Sequence, residues 1–270
     1  MMKDIPLGKH TEYVSHYDKS LLFPISRSEN RARLGITSAL PFDGFDVWTG
    51  FEMSWLNPKG KPQVAIAEFT IPCTAPNIIE SKSFKLYLNS YNQTQFDTQD
   101  AVIQQLQLDL SEGFGAEIQV KLFLVDDYPI AKKPVATLID ELDVDCSQYE
   151  PTAEMTLVQE GQIREEFLCT HLLKSNCPVT GQPDWATLWI DYKGSAIDHE
   201  ALLKYVVSFR QHSDFHEHCV ETIFSDILAQ GSFERLNIAA RYTRRGGLDI
   251  NPIRTLKGDV WQWPGRTARQ

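Results

Sequence analysis

The segment Ser175-Asn176-Cys177-Pro178-Val179-Thr180-Gly181-Gln182-Pro183-Asp184-Trp185 places a thiol and a carboxyl at the two ends of a short, stiff stretch. The thiolate is the useful nucleophile, so a working cysteine needs neighbours that favour it or move protons around it. Pro178 biases Cys177 toward extended backbone, Pro183 does the same for Gln182, and Gly181 permits a chain reversal between them. The expectation is a loop that presents Cys177 and Asp184 on one side of a turn, as a nucleophile beside a proton donor. The same residues also suit a structural loop with a buried thiol, in which Asp184 is a cap after Pro183.

Three other groups carry reactive side chains. Phe215-His216-Glu217 opens a predicted helix, where His216 also reads as a surface residue. His212, His218 and Cys219 lie close by, and His-x-x-x-His with a cysteine raises zinc as a second chemistry, although no further Cys-x-x-His module completes it. Glu80-Ser81-Lys82 opens another predicted helix, where free N–H groups and a positive side chain suit an anion. Glu80 and Glu217 equally read as acidic residues favoured by the helix dipole. Arg244-Arg245-Gly246-Gly247 offers two guanidiniums on a flexible turn, or a solvated strand end. There is no Gly-x-Gly-x-x-Gly fingerprint, so no Rossmann domain is expected.

The elements that must position these residues follow from periodicity. Residues 1 to about 45 are polar and proline-containing and read as a wrapping arm. Asp46 to Leu56 and Gln63 to Ile71 alternate as two strands around the turn-forming Asn57 to Pro62. Ser81 to Ser90 has helical spacing, and a second helix starts at Asp97 or Thr98 and stops at Gly113 or Gly115. Ala116 to Val125 is a predicted strand. Residues 126 to about 160 are acidic and interrupted by prolines, which marks a boundary between modules 1–150 and 151–270. The second half repeats the order: a strand over Gln162 to Leu172, the cysteine loop, and a strand over Ala186 to Tyr192. A helix capped near Asp198, a helix over Phe215 to Leu228 and a final strand over Leu236 to Tyr242 follow. The repeat is one of pattern, without close identity. It predicts an α+β fold with antiparallel sheets and helices on one face. The halves are chemically unequal: only the first has Glu-Ser-Lys and only the second has the cysteine loop. One site where halves or subunits meet is therefore expected.

Composition narrows the class. With 270 residues, 42% of them hydrophobic, the chain can bury a core, and 23% charge does not indicate disorder. A formal net charge of -10 argues against nucleic acid as a direct partner. No apolar run approaches the roughly 20 residues of a membrane span, and the N-terminus lacks a signal-peptide core. Five cysteines, Cys73, Cys146, Cys169, Cys177 and Cys219, have irregular spacing and no Cys-x-x-Cys, which points to free thiols in a reducing cytoplasm.

The cysteine loop, Glu80-Ser81-Lys82-Ser83-Phe84-Lys85-Leu86-Tyr87, Phe215-His216-Glu217 and the stretch from Arg241 to Pro252 together resemble the QueF family. These are the NADPH-dependent 7-cyano-7-deazaguanine reductases of queuosine biosynthesis. The matches spread over most of the chain and resemble the long, two-module form. The resemblance implies the tunnelling fold (T-fold) shared with GTP cyclohydrolase I, a homodimer, a small deazapurine nitrile as substrate, NADPH as co-substrate and no metal. It implies Cys177 as the nucleophile that forms a thioimide, Asp184 as proton donor and His216 as acid–base residue. Substrate binding falls to Ile79, Glu80, Ser81, His216 and Glu217, and cofactor binding to Ser81, Lys82, Arg245 and Gly246, with Lys85 and Arg244 as neighbours. The alternatives on the same fold are thiol nitrilase chemistry, zinc-dependent purine ring opening, and a purine-binding module with an inert cysteine.

Overall fold

A computed structural model describes residues 13–129, 134–152, 155–258 and 266–270. The start of the expected arm, residues 1–12, and parts of the acidic connector, residues 130–133 and 153–154, lie outside the described residues. The chain forms two compact units. The first comprises Met1–Ala32, Asp46–Pro129 and Arg244–Asp249; the second comprises Arg33–Phe45, Ile130–Thr243 and Ile250–Gln270. The units are thus not consecutive stretches of sequence, and Lys82 and Arg245, expected on different halves, belong to the same unit.

In chain order the first set of elements is β1 (Pro24–Ser26), α1 (Ser28–Arg33), β2 (Phe42–Leu56), β3 (Pro62–Pro72), β4 (Asn77–Ile79), α2 (Ser81–Ser90), α3 (Gln99–Phe114) and β5 (Gln119–Phe123). The polar arm is more ordered than expected over residues 13–45. Two of its arginines are buried: Arg27 pairs with Asp46 at 2.6 Å, and Arg31 donates to the Cys73 carbonyl at 2.6 Å. A polar sequence therefore packs here because each guanidinium finds an acceptor on burial. Strand order runs β5-β3-β2, with β3 and β5 antiparallel. Both helices pack on this sheet through aromatic edges, Trp48 against Phe84 at 4.9 Å and Phe114 at 5.7 Å, and Phe69 against Phe84 at 5.1 Å. Each such buried ring stabilises the unit by about 1.5–3 kcal/mol. Thr98 caps α3 through its hydroxyl on the Ala101 N–H, and Gly115, left-handed at φ 73°, ends it.

The remaining elements are β6 (Thr137–Leu138), β7 (Val158–Asn176), β8 (Pro183–Ile197), α4 (His199–Ser208), α5 (His216–Leu228), β9 (Phe233–Tyr242) and β10 (Leu248–Leu256). Strand order is β10-β9-β8-β7-β6, antiparallel except for β6 with β7. The fold is α+β with largely antiparallel sheet, as the periodicity predicts. The strands β7 and β8 are longer than expected, and β10 follows the strand read as final. Pro252 and the polar Asp249, Asn251 and Arg254 hide β10 in the sequence, yet all three polar residues are buried. Arg254 is satisfied by Glu221 at 2.7 Å, and Asn251 accepts the Tyr242 N–H at 3.1 Å in place of a strand carbonyl. Among the described residues no helix is long and apolar enough to cross a membrane.

Candidate active site

Cys177 begins the turn between β7 and β8 and is buried. The turn is stapled twice: the Cys177 N–H donates to Gln182 O at 2.8 Å, and the Gly181 N–H donates to Cys177 O at 2.9 Å. Gly181 has φ 68°, a conformation that favours glycine. The base of the turn is anchored on the segment before α5, because Asn176 donates its N–H to His212 O and accepts the Asp214 N–H at its carbonyl. Lys174 donates to Asn176 Oδ1 and Arg210 O from the same side. Ser175 pairs with Asp184 and Asn176 with Pro183 across the strands. As cross-strand partners, Ser175 and Asp184 lie on one face of the hairpin, and Cys177 follows at the start of the turn. Asp184 lies on β8 itself, not in a free loop, because β8 already starts at Pro183.

His216 is the first residue of α5. Its Nε2 is 3.4 Å from Asp184 Oδ2, and Asp184 is only 4% exposed. The other ring nitrogen, Nδ1, is 3.2 Å from Ile250 O. A carbonyl can only accept, so Nδ1 carries a hydrogen and donates it. Nε2 and the Asp184 carboxyl must then share one further proton if they are to bond, either as carboxylate and imidazolium or as acid and imidazole. The His216 ring lies flat on Tyr242, with centroids 3.7 Å apart and planes 4° from parallel.

Further titratable groups lie near α5. Glu217 is buried in the first turn of the helix. His218 Nδ1 is 2.9 Å from Asp214 Oδ1. Cys219 is fully buried, and burial pushes its thiol well above the ordinary range, so it is not a second nucleophile. His212 is held below the ordinary imidazole range by burial, partly offset by Asp214. Of the set weighed for zinc, His212 and His218 both face Asp214, at 3.8 and 2.9 Å, and among the described residues no group of three or more His, Cys, Asp or Glu is arranged to hold a metal.

In the first unit, Glu80 caps α2. Its carboxylate accepts from Lys82 N at 2.9 Å and Ser83 N at 2.8 Å, and it is buried. The first-turn N–H groups expected to be open to an anion are therefore occupied in part by Glu80. Ile79 ends β4, with its side chain against Gly113 of α3. Arg245-Gly246-Gly247-Leu248 is a tight two-residue turn, closed by Arg245 N on Leu248 O at 2.9 Å. Gly246 and Gly247 have φ 59° and 78°, the combination of a type I′ hairpin turn. The expected flexible turn is in fact this fixed one. A cavity of about 170 Å³ beside it is lined by Glu52, Lys85, Asn89, Asn92, Gly246 and Gly247, among others. A Cβ at Gly246 would sit 3.2 Å from Lys85 Cδ, so the glycine keeps this lining open. Of the residues expected to hold the cofactor, only Gly246 lines the cavity; Ser81, Lys82 and Arg245 do not.

Residue typing missed Tyr242, Asn176, Glu52 and Asn89. Tyr242 lay inside the Arg241-to-Pro252 motif, but only the fold puts its ring under His216. Comparison with known proteins gives a consistent result. A family model described as "Nitrile reductase, 7-cyano-7-deazaguanine-reductase N-term" matches residues 13–122, and one described as "QueF-like protein" matches residues 183–259. Over 271 residues the chain is 52% identical to a protein of Chromohalobacter salexigens, covering 100% of this chain and 98% of that one. It is 51% identical to one of Bordetella avium, covering 100% and 99%, and 52% identical to one of Burkholderia multivorans, covering 98% of each. All three are named NADPH-dependent 7-cyano-7-deazaguanine reductase.

Proposed function

The chain belongs to the NADPH-dependent 7-cyano-7-deazaguanine reductases, the QueF nitrile reductases of queuosine biosynthesis, and from that premise we propose how its residues divide the reaction. The enzyme reduces 7-cyano-7-deazaguanine to the 7-aminomethyl product with NADPH. In this reading Cys177 attacks the nitrile carbon. Its sulfur bonds to that carbon, one C–N π bond opens onto nitrogen, and the thiol proton is replaced on nitrogen through the Asp184–His216 pair. The product of this step is a neutral thioimide, which is more easily reduced than the nitrile. NADPH, when bound, supplies hydride, two equivalents per nitrile because conversion to a primary amine takes four electrons. Each reduction step again needs a proton at nitrogen, and departure of the sulfur restores Cys177.

The observation that carries this reading is the Asp184–His216 contact at 3.4 Å, at the base of the turn that Cys177 begins. Glu217, buried beside His216, suits the donor edge of a deazaguanine, since a carboxylate can accept from both a ring N–H and an exocyclic amine. Ile79, Glu80 and Ser81 are the further substrate residues of this reading. Ser81, Lys82, Arg245 and Gly246 are its cofactor residues, and the small cavity with Lys85 beside Gly246 suits one anionic portion of a dinucleotide. Two tunnelling-fold modules, over residues 1–150 and 151–270, and a homodimer complete the proposal. The support for the modules is the shared order of hairpin, two helices and a further strand, as in β2-β3-α2-α3-β5 and β7-β8-α4-α5-β9.

The test is intact-protein mass spectrometry after mixing with the nitrile in the absence of NADPH. The parent protein gains one nitrile mass, and Cys177→Ala gains none while still binding the base. An adduct on the variant would overturn the assignment of Cys177.

A further inference from the structure

We infer that Tyr242 is a positioning residue for His216, holding the imidazole plane so that Nε2 stays on Asp184. This rests on the acid–base reading of that pair. The terminal torsion of histidine is broad and roughly two-fold, so one hydrogen bond at Nδ1 does not fix the ring. Ile250 O restrains one edge of the imidazole, and the Tyr242 face restrains its tilt over the full ring area, at 3.7 Å and 4°.

Tyr242 is itself fixed at every end. It is fully buried at the end of β9, opposite Ala186 of β8, two residues beyond Asp184 and on the same face. Its N–H donates to Asn251 Oδ1 at 3.1 Å, and its carbonyl accepts from Gln270 Nε2 at 3.1 Å. Both backbone groups are therefore held by side chains, and Arg269 ties the same segment to His171 O and Ala186 O. The hydroxyl is buried and lies beside Ser175 and Cys219. Burial also pushes the phenol well above its ordinary range, so it stays protonated. What it contributes to the reaction is the flat face of its ring.

The experiment compares kcat and KM for NADPH-dependent nitrile reduction in Tyr242→Leu, Tyr242→Phe, His216→Ala and the Tyr242→Leu/His216→Ala pair. Misplacing a catalytic group by about 1 Å can cost about 100-fold, so Tyr242→Leu should lower kcat by about 10- to 100-fold with KM little changed. Tyr242→Phe keeps the ring and should recover kcat to within about threefold. In the His216→Ala background, Tyr242→Leu should cost less than about threefold, because coupled residues are non-additive. Equal losses in both backgrounds, or a Phe variant as impaired as the Leu variant, would overturn the inference. A near-normal kcat for His216→Ala would instead overturn the acid–base reading beneath it. If Tyr242→Leu does not fold, NMR of the histidine-labelled parent decides. The His216 ring protons, assigned by loss in His216→Ala, should lie upfield of those of the other six histidines, and an unshifted signal refutes the stack.

Discussion

Asp184→Asn keeps the shape of the side chain but removes its ability to exchange a proton. The amide has the shape of the carboxyl, and its N–H can donate to a neutral His216 Nε2, so the 3.4 Å contact and the burial around it survive. What is lost is the shared proton. In the proposed mechanism the Nε2–Oδ2 contact protonates the developing imide nitrogen, since Nδ1 is bonded to Ile250 O. General acids contribute about 10²–10⁴-fold. At about 1.36 kcal/mol per decade, this is a barrier increase of about 2.7–5.4 kcal/mol. Steady-state NADPH oxidation at saturating nitrile measures the loss, and the rate of adduct formation on Cys177 without NADPH locates it before or after thioimide formation. An unchanged urea midpoint confirms that the fold is intact. Turnover within a few-fold of the parent would refute the reasoning and leave Asp184 as a structural cap at the start of β8.

Lys82→Ala and Arg245→Ala should each weaken NADPH binding by about 10- to 100-fold, the equivalent of losing one charge-assisted contact; calorimetric titration with unchanged affinity in both would place the cofactor elsewhere. Adduct formation at Cys177 should persist in both, since it needs no hydride. Glu80→Gln keeps one acceptor for the start of α2 but loses the charge and one of two cap bonds, so stability should fall by about 1–2 kcal/mol in urea unfolding; no change would show that the cap is energetically silent. Burial depresses the His212 imidazole, so the unfolded chain binds the extra proton first. The contribution of His212 is therefore complete above the unfolded value of about 6.5 and is lost as pH falls below it. His212→Gln should flatten the fall in unfolding midpoint between about pH 7.5 and 5.5, and an unaltered slope would contradict the assignment.

The chain by itself determined the parts of this protein that depend on near neighbours. Caps at Thr98 and Asp198, the helix over Ser81–Ser90, the hairpin around Asn57 to Pro62 and the stiff turn after Cys177 are each specified within a few residues. The residue types of the site were legible for the same reason, since Cys177 and Asp184 are joined through one short turn. Only the tertiary structure decided where distant polar groups are satisfied. Pro252 and the charged residues around it read as a loop end, yet β10 forms because Arg254 meets Glu221 and Asn251 meets Tyr242 across the fold. Glu80 reads equally as a ligand or a cap until its two oxygens are seen on the N–H groups of Lys82 and Ser83. The turn Arg245–Leu248 follows β9 in sequence but packs with the unit that contains Lys82. The stacking of Tyr242 under His216 joins the end of a strand to the start of a helix 26 residues earlier in the chain. Spacing carries no signal for such contacts, because burying a polar or aromatic group is favourable only when a partner arrives from elsewhere in the chain.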